Sequence, residues 1–109
     1  MKIYVITYNV IEGIHYWENA PVPVEYLKNA HRHNFIVRCK FEVKHDDREL
    51  EIIKQQNKIN NFFKDKFGVP AMFEQMSCEM IAKQILSHFY DCVSCEVLED
   101  GFGGAEVER

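Results

Sequence analysis

The sequence predicts an α+β domain with the element order β-β-α-α-β-β, two helices covering one face of a four-stranded antiparallel sheet. Three observations carry this. Two long stretches, residues 2–14 and 31–44, are rich in β-branched and aromatic residues and alternate with period two. Two later stretches, residues 48–66 and 77–90, place apolar residues at helical spacing. Two short alternating segments then flank a glycine-rich turn at the C-terminal end.

In the first strand Ile3, Val5 and Thr7 alternate with Tyr4, Ile6 and Tyr8, and Gly13 marks a bulge or a close backbone approach. Pro21 and Pro23 keep residues 18–30 out of a central ladder, so that stretch reads as a loop or edge segment closing a long hairpin. Asp46-Asp47 reads as a turn and helix start, its acids placed at the positive end of the helix dipole. From there Ile52, Ile59, Phe62, Phe63 and Phe67 fall mostly on one stripe, and Gly68-Val69-Pro70 stops the helix. Ser77 reads as the N-cap of the second helix, whose apolar face carries Ile81, Ile85 and Phe89. Val93, Cys95 and Val97 alternate as a third strand, and Asp100-Gly101-Phe102-Gly103-Gly104 turns into a short last strand over 105–108. Tyr, Ile and Val occupy both faces of the first strand, so the sheet face away from the helices calls for a partner.

Composition narrows the function classes. At 109 residues the chain is one domain in size, and 47% apolar residues with eight Phe and five Tyr fit a globular protein. A net charge of −4 leaves no basic footprint for general nucleic-acid binding. No apolar run reaches membrane-spanning length, and the N-terminus lacks a signal-peptide cleavage pattern, so a cytoplasmic protein is expected. The four cysteines are then expected as reduced thiols.

Chemistry concentrates at His31-Arg32-His33, where the second strand begins. Side chains two apart on a strand share a face, so His31 and His33 can form part of a metal site; alone, they are equally readable as two polar residues at a strand mouth. A catalytic zinc site takes three protein ligands and keeps one position open. His45 lies past the far end of the second strand, roughly 40 Å away at ~3.3 Å per residue. His88 sits on a helix packed elsewhere. His15, at the end of the first strand, meets the beginning of the second in an antiparallel hairpin, and geometry selects it as the third ligand. Cys92 and Cys95 have chelating spacing, but three apart on a strand they are expected to face opposite ways.

His15, then a connection, then His31-Arg32-His33-Asn34-Phe35 leading into an apolar strand, resembles the 6-pyruvoyl-tetrahydropterin synthase and 6-carboxytetrahydropterin synthase family, whose signature is a first His followed by His-Gly-His-Asn-Tyr. Phe73-Glu74-Gln75-Met76-Ser77-Cys78-Glu79 followed by Met80-Ile81-Ala82 is similar to the family's Asn-Pro-Thr-Ser/Ala-Glu-Asn-Leu-Ala helix start, and Val97-Leu98-Glu99-Asp100 to its Val-x-Glu-Thr segment. The resemblance implies one 6-pyruvoyl-tetrahydropterin-synthase-like domain over 1–109 with the tunnelling fold. Such subunits assemble into rings, usually two stacked trimers, with active sites between subunits. It further implies Zn²⁺ on His15, His31 and His33, substrate contacts from Glu99 and Ser77, and a lyase-type reaction on 7,8-dihydroneopterin triphosphate or a related pterin, as in queuosine biosynthesis. A carboxylate such as Glu99 fixes a flat heterocycle by accepting two N–H bonds from its edge.

Three departures stand beside these matches. The family's cysteine, about four residues before His-x-His, is Leu27 here; its Asp-His pair is absent from residues 63–68; and Arg32 replaces a glycine. Some relatives carry a glutamate in place of the cysteine, which makes Glu25 the candidate acid–base residue. The alternative is a non-catalytic zinc-containing relative that binds a pterin or nucleobase without the usual relay. Cys78, at a helix start, is a further thiol whose acidity a helix dipole can raise.

Overall fold

The computed structural model describes residues 1–109, and its organising unit is a long hairpin. β1 (Ile3–His15) and β2 (His31–Val43) each run 13 residues and pair antiparallel without a break, from Ile3 opposite Val43 to His15 opposite His31. The alternation read from the sequence is the cause: Thr7, Asn9 and Ile11 of β1 and Phe35, Val37, Cys39 and Phe41 of β2 are all buried on one face. Between the strands, residues 16–30 run through a 3₁₀ turn at Glu25–Lys28.

The first helix, α1 (Ile52–Phe67), starts later than the acidic pair at 46–47 suggests. The Glu49 carboxylate accepts from the Lys44 and His45 amides at 2.8 and 3.2 Å, folding residues 44–51 into a closed bend. Glu51 then caps the helix by accepting from Ile53 and Lys54 at 2.9 and 3.2 Å. Gln55, Ile59 and Phe63 face the core, while Ile52 is left exposed at the helix start.

A strand follows that the sequence pattern did not reveal. β3 (Ala71–Glu74) pairs parallel to β1, Gly13 opposite Ala71, and buries Ala71 and Phe73. α2 (Cys78–His88) begins where expected, Ser77 Oγ accepting from the Met80 amide at 3.2 Å. β4 (Cys92–Glu99) and β5 (Gly103–Glu108) complete the sheet, whose order is β3-β1-β2-β4-β5. The α+β fold with two sheet-covering helices stands; the expected four antiparallel strands become five, with one parallel edge.

Cys92 and Cys95 also depart from expectation. A bulge between Lys40 and Phe41 shifts the β2–β4 register, placing Cys95 opposite Cys39 and Cys92 opposite Phe41. Both thiols therefore point into the core with Cys39, and Cys95 Sγ lies 3.9 Å from Cys39 Sγ. The Cys39 thiol and burial push Cys92 far above the ordinary thiol range. All four cysteines are free and buried.

The opposite sheet face carries no helix, and Tyr8 and Val10 stand exposed there, with Lys40 Nζ 4.1 Å from the Tyr4 ring centre. No helix is long and apolar enough to cross a membrane. Gly13 sits where β1 crosses the core's aromatic floor: a Cβ there would lie 2.6 Å from the Phe73 ring and 3.0 Å from Phe35. Gly13→Ala is therefore expected to lower unfolding free energy by about 1–3 kcal/mol, as overpacking does, checked by urea denaturation.

Candidate metal centre

The hairpin register builds the centre. His15 and His31 are direct cross-strand partners, and His33 stands opposite Gly13, whose missing side chain lets the Phe73 ring pack directly against the strand backbone. The three rings meet edge to face, with centroids 4.5 Å (His15–His31), 5.3 Å (His15–His33) and 5.1 Å (His31–His33) apart. One nitrogen from each comes within 4.8 Å of the others. Phe35, 5.1 Å from His15 and 5.6 Å from His33, forms the apolar floor and itself rests on Phe73.

The outer nitrogens fix the inner ones. His15 Nδ1 lies 3.0 Å from the Met76 carbonyl, His31 Nδ1 2.8 Å from the Asn29 carbonyl, and His33 Nδ1 2.7 Å from Asp100 Oδ2. Each partner is an oxygen with only lone pairs to offer, so each Nδ1 must donate its proton. A neutral ring in that tautomer presents a bare lone pair at Nε2, the form in which imidazole binds a metal.

His15 Nε2 tests the fit to a cation. It is buried without a hydrogen-bond partner, and Glu99 Oε2 faces it at 3.0 Å. The same oxygen lies 3.8 Å from His33 Nε2. A lone pair confronting a carboxylate is repulsive unless a proton or a metal ion stands between them. Burial holds His15 below the usual imidazole range, outweighing the Met76 carbonyl and the Glu99 charge, which disfavours the proton. A divalent cation satisfies both groups. Three neutral imidazoles suit zinc and its neighbours among transition metals rather than calcium or magnesium. His15, His31 and His33 would hold the ion.

His15 and His31 open onto a cavity of about 570 Å³, whose wall also carries Ser77, Cys78, Glu99 and Leu27. Leu27 thus presents a hydrocarbon to this space. Glu25 is exposed on the 3₁₀ turn and does not line the cavity. Arg32 projects from the opposite sheet face, where its guanidinium pairs with Glu12 at 3.0 Å. His45 sits beside Glu49, and His88 packs on Phe62 with ring centroids 4.6 Å apart, both away from the trio. Sequence reading did not find Asp100 or the two carbonyls behind the rings. Asp100 is held below the usual carboxylate range by His33 and the Asn34 amide.

This strand order, helix pair and hairpin define the tunnelling fold of pterin synthase subunits. The solved structure of 6-pyruvoyl tetrahydropterin synthase from Caenorhabditis elegans matches with a TM-score of 0.63 at 9% sequence identity, covering 100% of this chain and 96% of that one. No family model matches the sequence, and no curated protein matches it significantly. At that identity the likeness speaks for the fold alone.

Cys78 is not an activated thiol: burial, then the charges of Glu99 and Glu79, push it up to about 12. At pH 8 only about one molecule in 10⁴ would carry its thiolate. Iodoacetamide is expected to leave Cys78 unmodified in the folded protein and to label it in urea, as read by peptide mass spectrometry.

Proposed function

We propose that the chain is a zinc-dependent, cytoplasmic pterin-pathway enzyme resembling 6-carboxytetrahydropterin synthase, acting as a lyase on 7,8-dihydroneopterin triphosphate or a related pterin. The observation that carries this is the convergence of three imidazoles, two of which line a cavity of about 570 Å³ together with the Glu99 carboxylate. A bound Zn²⁺ supplies Lewis-acid polarisation of the substrate's side-chain oxygens. The chain's own residues bind and orient. Glu99 accepts the two N–H groups of the pterin's aminopyrimidinone edge, and Ser77 borders the same space. Tyr16 and Trp17, also on the wall, supply aromatic surface against which a flat heterocycle packs. The exposed Tyr8 and Val10 on the helix-free sheet face support assembly with further copies of the chain into a ring of two stacked trimers.

A second reading, a zinc-containing binder of a pterin or nucleobase without turnover, is favoured by Leu27 on the cavity wall and by the absence of a histidine from residues 63–68. If Glu25 is to act as the acid–base group in the cysteine's place, it must come from the exposed 3₁₀ turn or serve a neighbouring subunit.

Zinc is expected at one equivalent per subunit by elemental analysis, falling below a tenth of that in His15→Ala, His31→Ala and His33→Ala. Unchanged metal content in all three would remove the site. Incubation with 7,8-dihydroneopterin triphosphate then separates the readings: product formation supports the enzyme, while ligand-induced stabilisation without turnover supports the binder. Glu99→Gln is expected to keep zinc and weaken pterin binding at least tenfold by calorimetry; undiminished affinity rules out the anchor.

A further inference from the structure

The three histidines are held from behind by different kinds of oxygen. Neutral backbone carbonyls serve His15 and His31, whereas a carboxylate serves His33. Asp100 is built for that contact. It is the first residue after β4, with φ of +54°, a left-handed conformation that residues other than Gly, Asn and Asp seldom take. Its own amide donates to the Asn34 carbonyl at 2.9 Å, and its Oδ1 accepts from the Asn34 amide at 2.8 Å. Its other oxygen, Oδ2, accepts from His33 Nδ1 at 2.7 Å. The turn after β4 is thus tied to the residue following His33 through main chain and side chain together, and the remaining carboxylate oxygen falls on the ring.

The arrangement limits what Asp100 can do. Each oxygen already accepts a hydrogen bond, and the residue is not among those lining the cavity, so it does not stand in for the missing acid–base relay. What it does is act through His33. A charged acceptor at Nδ1 fixes the tautomer and ring plane, and it raises the electron density that Nε2 offers to a cation. It also supplies negative charge close to a divalent ion whose three histidine ligands are all neutral.

We propose that Asp100 is the positioning residue of the metal centre, locking His33 in its Nδ1–H tautomer and making it the most strongly donating of the three ligands. This rests on the reading of the trio as a metal site, and the test keeps the two apart. Chelator-stripped protein is titrated with Zn²⁺ against a chromophoric competitor. In parallel, long-range ¹H–¹⁵N correlation spectra of the metal-free protein report the tautomer of each histidine.

Asp100→Ala is expected to weaken Zn²⁺ binding 10- to 100-fold and to move His33 alone away from the Nδ1–H form, leaving His15 and His31 unchanged. Asp100→Asn keeps the shape of the side chain but has one acceptor oxygen for two N–H donors. It is expected to weaken binding within the same range. A turn that merely folded less well would lower the unfolding midpoint without changing the tautomer of one ring selectively. Wild-type affinity in the alanine variant with an unchanged His33 tautomer overturns the proposal. If wild-type protein itself takes up no Zn²⁺, the metal reading fails instead, and the tautomer spectra still decide whether Asp100 sets His33.

Discussion

The antiparallel register of β1 against β2 is the constraint on which the rest depends. Side chains alternate faces with period two, so pairing His15 with His31 also decides which face of all thirteen rungs meets the helices. A slip of one residue would turn Phe35, Val37, Cys39 and Phe41 out to solvent and carry the histidines to the opposite face. The burial of those core residues therefore holds the metal centre in register, although most of them lie far along the hairpin from it. Gly13 and Phe35 join the two functions most directly, because the ring under the trio belongs to the same aromatic stack as Phe73 and, behind it, Phe63 and Phe67.

The same geometry explains what could be read without coordinates. His31 and His33 share a face by strand periodicity alone, and His15 follows once the two strands are taken as a hairpin; nothing long-range is needed. The N-cap at Ser77 was readable for the same reason, since capping is a matter of three neighbouring residues. Features set by non-local contacts were hidden. β3 is four residues long, too short for alternation to stand out, and exists because the edge of β1 is there to pair with it. The inward turn of both Cys92 and Cys95 needs an extra residue, Val93, bulging from β4 between the partners of Lys40 and Phe41, and only the pairing with β2 makes that bulge evident. Asp100 lies 67 positions from His33 in sequence, and a Glu-Asp-Gly turn reads as any exposed acidic turn until the two meet.

The outer hydrogen bonds bear on selectivity as well as strength. Two carbonyls and one carboxylate behind three imidazoles place a proton on every Nδ1, so that no ring has to change tautomer when a cation arrives. The ordering cost is met by the fold: the Met76 carbonyl belongs to the segment between β3 and α2, the Asn29 carbonyl to the end of the hairpin connection, and Asp100 to the β4–β5 turn. Three separate connections converge behind one end of the hairpin. Rings held in this way from behind leave less for the binding of a ligand to order.

The histidines and the other residues at the cavity sit on different elements. The three histidines belong to the hairpin that the core itself requires, whereas Leu27 lies on the connection between β1 and β2, and residues 63–68 form the C-terminal end of α1. Leu27 lines the cavity with hydrocarbon, whereas Phe63 belongs to the buried core and Phe67 packs against it. What remains on the cavity wall to carry a proton is limited. Cys78 is held in its thiol form, and the only carboxylates are Glu79 and Glu99, of which Glu99 already faces His15 Nε2 at 3.0 Å. The histidine trio is complete down to its outer hydrogen bonds. Beside Glu99, the titratable groups on that wall outside the histidines and Cys78 are Glu79 and Tyr16.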